Sequence, residues 1–407
     1  MDKQRLALEG GTPVRTERFP AWPEFGQLEE QLVLEVIRSG KWGGSGAVHS
    51  SEYSPKLPEM ERRFAELHEA QHAISVVNGT VAITVALHAA GVKPGDEVIV
   101  PPYTFIATAA AALAYGAVPV FVDIEEDTLL LDPEKIAAAI TPRTKAVIPV
   151  HLAGAPANMS RVKEVAAEHR LRVIEDAAQA VGAKWEGRSV GAIGDLGTFS
   201  LQSSKNLNSG EGGIILTNDQ ELADIAWSLC NVGRSRSGGW YQHDRIGQNY
   251  RMTELQAAIV LAQMSRLEDQ MQRREANAAL LTNLLNEISG ISVVKADSRI
   301  TRHANHLYMF RIAKEVTDRI EKSDFIRKLG AEGIPVSYGY IPLHRNEAII
   351  KAVNTIVGEE RSYDCPISER LSDKEVLWLG QNVLLADEKA MYDVAAAIRK
   401  VIESYSC

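Results

Sequence analysis

Cysteine is scarce in this chain, three in 407 residues, at positions 230, 365 and 407. They lie far apart and their number is odd, which argues against a disulfide framework and for a reducing, cytoplasmic setting. An excess of positive charge is also missing. Lys and Arg number 44 against 53 Asp and Glu, a net charge of -9, so no nucleic-acid partner held on a broad basic face is expected. The opening MDKQRLALEGGTPVR has no apolar core of signal-peptide length. Long hydrophobic runs are absent but for one uncharged span, 98–122, which has the length to cross a bilayer. Pro101, Pro102, Gly116 and Pro119 cut that span into strand, turn, Ala-rich helix and strand. No membrane partner is therefore expected. Internal repeats and low-complexity segments are lacking too.

What is present is the composition of a globular protein with a full core: 45% hydrophobic and 24% charged. The length suggests two or three domains. Short apolar runs alternate with helical patterns. AISVV, DEVIVP, PVFVDI, KAVIPVHLAG, LRVIEDAA, IGDLGTFSL and GGIILTN read as strands; 58–68, 81–90 and MSRVKEVAAEHR read as helices. That alternation predicts an α/β architecture with a mostly parallel sheet covered on both faces. Over 253–288 the apolar residues recur at threes and fours, predicting one long helix. Beyond it, strand patterns (ISVVKA, HLYMFRIA) mix with helical ones (KSDFIRKLGAEG, DEKAMYDVAAAIRKVIES), as in a smaller α+β domain. The expected division is 1–265 for a large domain with an N-terminal arm and 266–407 for a small one. GRSRSGG, 233–239, reads as a polar loop, solvated or ordered by a phosphate or carboxylate.

Three constellations carry chemistry. In RVIEDAAQA, Asp176 falls at a strand's carboxyl end, where open α/β sheets bind ligands. An acid there needs a partner such as a protonated ring nitrogen, or else it caps a turn. In VVNGTVAITVALHAAG a strand ends at Asn78, Gly79 allows a tight turn and Thr80 opens a helix, an arrangement suited to a phosphate but also common as a plain junction. In FSLQSSKNLNSGEGG, Lys205 sits between small polar residues and a Gly-rich turn. Withdrawn from water, its amine would lose proton affinity and attack a carbonyl; most lysines are merely solvated. A phosphate cup, an acid for a pyridine nitrogen and a carbonyl-reactive lysine are jointly what pyridoxal 5'-phosphate (PLP) requires of a protein.

The motifs NGT (78–80), PPYTFIAT (101–108), PVHLAG (149–154), EDAAQA (175–180), FSLQSSKNLNSGEGG (199–213) and QNYRMTELQAAI (248–259) resemble those of the DegT/DnrJ/EryC1/StrS aminotransferases, from about residue 19 to the C-terminus. The resemblance implies fold type I, the aspartate aminotransferase architecture, and a PLP cofactor. It implies that Lys205 forms the Schiff base and moves the proton, that Asp176 pairs with the pyridinium, and that Gln179 approaches the ring hydroxyl. Phe105 would stack on the ring, where relatives often carry a larger aromatic. Gly79, Thr80 and Ser200 would bind the phosphate, and Asn249 would reach it from the neighbouring subunit of an obligate homodimer. His344 and Tyr338 would lie near the substrate. Gln202 departs from the aromatic or His that many relatives place before the lysine. Relatives with His in place of that lysine run dehydrations, so Lys205 points to transamination.

Two rivals remain open in the sequence. HEAQH, 68–72, matches the zinc-hydrolase pattern HExxH with Glu69 as base. The β-branched run after His72 argues against a helix holding both histidines, and no third ligand follows at a useful spacing. His303 and His306 form HxxH, expected on opposite faces of a strand and so in a core or site-edge role rather than as metal ligands. No metal is therefore expected. The other rival is a non-catalytic PLP-binding regulator, for which the segment before the first motif is short and not basic. Resemblance at both ends of the chain favours the branch that aminates ketocyclitols such as scyllo-inosose from L-glutamine or L-glutamate. That branch also holds 3-amino-5-hydroxybenzoate synthases, and the alternative acceptor is a nucleotide-linked keto-sugar.

Overall fold

The computed structural model describes residues 5–43, 54–239 and 241–405; Cys407 lies outside them. Fourteen strands occur there: β1 (His72–Val76), β2 (Glu97–Val100), β3 (Val118–Phe121), β4 (Thr144–Val147), β5 (Arg172–Asp176), β6 (Lys184–Trp185), β7 (Arg188–Ser189), β8 (Leu196–Ser200), β9 (Gly213–Thr217), β10 (Ile291–Val293), β11 (Ile300–Arg302), β12 (Leu307–Ile312), β13 (Val336–Ser337) and β14 (Val376–Gly380). Seven form one sheet in the order β1-β9-β8-β5-β4-β2-β3. The pairings among β3, β2, β4, β5 and β8 are parallel, and β9 runs antiparallel to both its neighbours. Side chains alternate across this sheet. Val173, Phe199 and Ile214 join one apolar core with the helices Lys56–Leu67 and Met159–His169. Ile174, Leu196 and Ile215 join another with Gly79–Ala89 and Gln220–Cys230. Strands buried on both faces read as continuous apolar runs, which is why they are legible in the sequence.

The uncharged span 98–122 folds as β2, a loop, the helix Ala107–Ala114 and β3. No helix among the described residues is long and apolar enough to cross a membrane. Cys230 and Cys365 are buried free thiols.

The expected single helix over 253–288 is two, Glu254–Met264 and Leu267–Asn286. At the break the Ser265 hydroxyl donates back to the Ala262 carbonyl at 2.6 Å, and Arg266 turns aside to Glu29, with Nη2 to Oε2 at 3.1 Å. A back-bonding serine and an ion pair off the helix axis outweigh the apolar period here. The second helix packs on a four-stranded antiparallel sheet, β10-β12-β14-β13, through Leu281 and Leu285, together with Phe325 and Met391. A third small sheet, β11-β6-β7, joins segments from both halves of the chain.

The helix carrying HEAQH stops at Leu67, Glu69 takes a left-handed φ of 56° and His72 opens β1. The two histidines therefore share no helix. His68 is a core residue: Nδ1 donates to the Phe64 carbonyl (3.0 Å), Nε2 accepts from Gly182 N (3.2 Å), and the ring stacks on Phe64. Burial pushes its pKa down to about 4. His303 and His306 do not sit on a strand as expected, but in the segment between β11 and β12. Among the described residues no group of three His, Cys, Asp or Glu side chains is gathered as a metal site would need.

Candidate active site

Strand ends β5 and β8, the start of a helix and one loop enclose a cavity of about 790 Å³. The acid comes from β5. Asp176 closes that strand, its backbone N donating to the Pro149 carbonyl at 2.9 Å and its own carbonyl accepting from His151 N at 3.0 Å. Its Oδ2 accepts from Thr108 Oγ1 (2.8 Å) and its Oδ1 from Ala178 N (3.1 Å). No ion pair forms at this carboxylate among the described residues. Burial pushes its pKa up, against the two hydrogen bonds and the more distant charge of Lys205. An acid held this way is poised to gain from a cation brought to it.

Opposite it, Asn78 caps the helix Gly79–Ala89, its Oδ1 accepting from Val81 N at 2.9 Å. A Cβ at Gly79 would stand 2.8 Å from the Cβ of Ser200, so only glycine lets this helix start approach the end of β8. A Cβ at Gly213 would stand 2.5 Å from the Asn78 carbonyl oxygen. Gly79, Thr80 and Ser200 thus come together on the cavity wall, at the positive dipole end of that helix. Lys205 projects into the same cavity from the loop after β8. Its Nζ makes no hydrogen bond or ion pair with the described residues. Burial pushes its pKa down to about 8, with the charge of Asp176 opposing.

Phe105, half-exposed, and Gln179 also stand on the wall. Gln179 is already engaged: Oε1 accepts from Ala153 N (2.7 Å) and Nε2 donates to the Tyr340 hydroxyl (2.9 Å). Three other expected residues lie away from this cavity. Asn249 is exposed and bridges to Asn231. Tyr338 is exposed, its carbonyl accepting from Lys322 Nζ at 2.6 Å. His344 is buried, with Nε2 paired to Glu369 Oε1 at 2.7 Å. The 233–239 loop also stands apart, Arg236 covering the Trp227 ring at 5.0 Å.

Sequence reasoning missed several wall residues. Tyr340 lines the cavity two positions after Tyr338, against Trp378 at 4.6 Å between ring centroids. Trp22, Thr108, Gln381 and Asn382 line it as well, beside His306, for which the sequence suggested a core or site-edge role. Gly339, with a left-handed φ of 91°, stands between Tyr338 and Tyr340 and breaks the extended alternation there. The others meet only through long-range packing.

Comparison with known proteins follows this geometry. The profile of the DegT/DnrJ/EryC1/StrS aminotransferase family matches residues 25–399. The L-glutamine:2-deoxy-scyllo-inosose aminotransferase of Streptoalloteichus tenebrarius is 36% identical over 419 residues, covering 98% of each chain. The 3-amino-5-hydroxybenzoate synthase of Amycolatopsis mediterranei is 34% identical, covering 95% of this chain and 98% of its own. Among solved structures, an aminotransferase from Psychrobacter cryohalolentis superimposes with a TM-score of 0.86 at 31% identity, over 96% of this chain and 100% of the other. The fold is that of type I, as the sequence implies, and the chain belongs to the DegT/DnrJ/EryC1/StrS aminotransferase family and is an aminotransferase.

Proposed function

We propose that this aminotransferase binds PLP at the cavity of Lys205 and Asp176 and moves the amino group of L-glutamine to the ketone of a cyclitol. The observation that carries the reading is a single unpaired amine and a buried acid without a cation facing one cavity beside a helix start. These residues fit the cofactor. Gly79, Thr80 and Ser200 suit a phosphate, Asp176 a protonated ring nitrogen, and Phe105 a ring face. When bound, PLP supplies an aldehyde carbon that takes up an amino group and a ring that withdraws electrons.

The chain's own residues do the rest. Asp176 holds the proton on the ring nitrogen, and Thr108 and the Ala178 N–H hold Asp176 in place. Lys205 Nζ, with its pKa pushed down to about 8, would take the proton from the α-carbon of the amino donor in one half-reaction and deliver a proton to the former ketone carbon of the acceptor in the other. General acid–base catalysis of this kind contributes about 10²–10⁴-fold, and a tethered base adds proximity.

The acceptor follows from the walls and the relatives. Among the described residues Lys205 is the only Lys or Arg lining the cavity, beside several amides and aromatic rings. A diphosphate calls for more cations than that, whereas a neutral polyol does not. Relatives named for L-glutamine and scyllo-inosose ketones support the same choice. The homodimer belongs to this proposal, supported by Asn249 standing outside its own chain's cavity and by exposed Phe25 and Ile246. So does a division near residue 265: Val260 joins the core under the large sheet and Leu285 that under the four-stranded one. A cytoplasmic setting rests on the scarce cysteines alone.

Spectroscopic half-reactions test the reading. L-Glutamine should bleach the aldehyde form of the holoenzyme, and a polyhydroxylated cyclohexanone should restore it. Restoration by nucleotide-linked keto-sugars alone would refute the acceptor, and no bleaching by any amino donor would refute the activity.

A further inference from the structure

His306 and Gln381 are buried, 6% and 4% exposed, and both line the cavity. In the four-stranded sheet Leu307 pairs with Gly380 in antiparallel register. His306 precedes and Gln381 follows that terminal pair, so both residues leave the same end of the sheet.

Their hydrogen-bonding roles are forced by their neighbours. Arg274 is fully buried, and its Nε and Nη2 reach Gln381 Oε1 at 3.0 and 2.6 Å. Guanidinium only donates, so the amide oxygen must face it and the Nε2 donors face away. No described residue accepts from that Nε2. On the other side, Asn206 Nδ2 donates to the Ala304 carbonyl at 2.7 Å. Its Oδ1 therefore faces His306 Nδ1 at 3.0 Å, and that nitrogen must carry the proton. Burial, Lys205 and Arg274 together keep the imidazole neutral, its pKa well below the usual value. His306 Nε2 is then a bare acceptor with no partner among the described residues. Asn206 directly follows Lys205, so this acceptor is tied to the loop that carries the amine.

We infer that His306 Nε2 and Gln381 Nε2 form a fixed acceptor–donor pair that recognises one hydroxyl group of the acceptor's ring near its ketone. A hydroxyl both donates and accepts, so a single such group satisfies both atoms at once. This rests on the polyol reading above and makes it specific: the substrate is selected by a hydroxyl, with Arg274 and Asn206 as positioning residues. A site built to bond a hydroxyl discriminates strongly against an analogue lacking it, because its buried polar atoms are left unpaired.

The test uses the holoenzyme, a fully hydroxylated cyclohexanone and its mono-deoxy analogues. For the wild type, one analogue should lose at least tenfold in kcat/KM. In His306→Leu and in Gln381→Glu the preference for the parent ketone over that analogue should shrink to within about threefold. Gln381→Glu keeps the oxygen that Arg274 holds, so it provides the answer if His306→Leu does not fold. As a readout apart from turnover, a saturating cyclitol alcohol should raise the Tm of the wild-type holoenzyme and not that of either variant. Variants that keep the wild-type preference and the Tm shift overturn the pair while leaving the polyol acceptor standing. A wild type that aminates nucleotide-linked keto-sugars and no polyol ketone overturns the acceptor reading and the pair with it.

Discussion

Strand β5 ends in two adjacent acids that point to opposite faces of the sheet. Glu175 faces the core and is saturated: its oxygens accept from His151 Nε2 (2.9 Å) and from the backbone N–H groups of Gly191 (2.8 Å), Ile193 (2.7 Å) and Gly194 (2.6 Å). Burial opposes its charge, yet His151 and those N–H groups outweigh burial and hold the carboxyl below its usual range. Asp176 faces the cavity with two bonds, and there burial wins and the carboxyl is pushed up. Two residues on one strand thus divide the labour. The core acid is built to be charged in the folded chain alone; the cavity acid has fewer partners, and a cationic ligand would supply another.

The largest effect that can break this comparison lies at the amine facing Asp176. Lys205→Ala should retain PLP, bound non-covalently, while turnover falls by at least ~10⁴-fold, the upper end of what acid–base catalysis alone contributes. Steady-state rates with L-glutamine check it. Next is the core acid. Glu175→Ala leaves a buried imidazole and three N–H groups without their acceptor, and should cost about 3–5 kcal/mol in denaturant unfolding. Asp176→Asn should do the reverse in the cofactor-free protein. A carboxyl whose folded pKa is raised costs stability above its unfolded value, so the variant should melt higher than wild type at pH 7. It should also bind PLP more weakly, which fluorescence titration measures.

The remaining predictions are smaller. His68 is held neutral in the fold, its pKa about 4 against 6.5 unfolded, so the unfolded chain binds the extra proton first. Stability from this group is present above pH 6.5 and is lost as pH falls to 4, about 3 kcal/mol in all at 1.36 kcal/mol per unit. His68→Asn should flatten that part of the acid titration. Thr108→Val removes one of the two bonds to Asp176 and should cost no more than about 1.5 kcal/mol, with PLP affinity lowered less than by Asp176→Asn.

The same contrast explains what the sequence could and could not reveal. Residues whose place is set by local backbone were legible. Asp176 ends an apolar strand, Gly79 stands where a helix start meets β8, and Lys205 follows β8 in a polar loop, each within a short motif. The strands of the large sheet were legible because two-sided burial writes continuous apolar runs. Residues that act across the chain were not. Gln381 meets Arg274 and faces His306 only through the pairing of β12 with β14. The break at Ser265 depends on an ion pair to Glu29, far away in sequence. Tyr340, not Tyr338, reaches the cavity: the left-handed Gly339 between them, φ 91°, breaks the extended alternation, and Tyr340 packs on Trp378.

The proposed function requires one lysine to be joined covalently to PLP. Borohydride reduction of the holoenzyme followed by peptide mass mapping reads it directly. The pyridoxyl mass should appear on Lys205 and be missing from the Lys205→Ala protein. A label on another lysine, or none on a protein that still transaminates, would contradict the account.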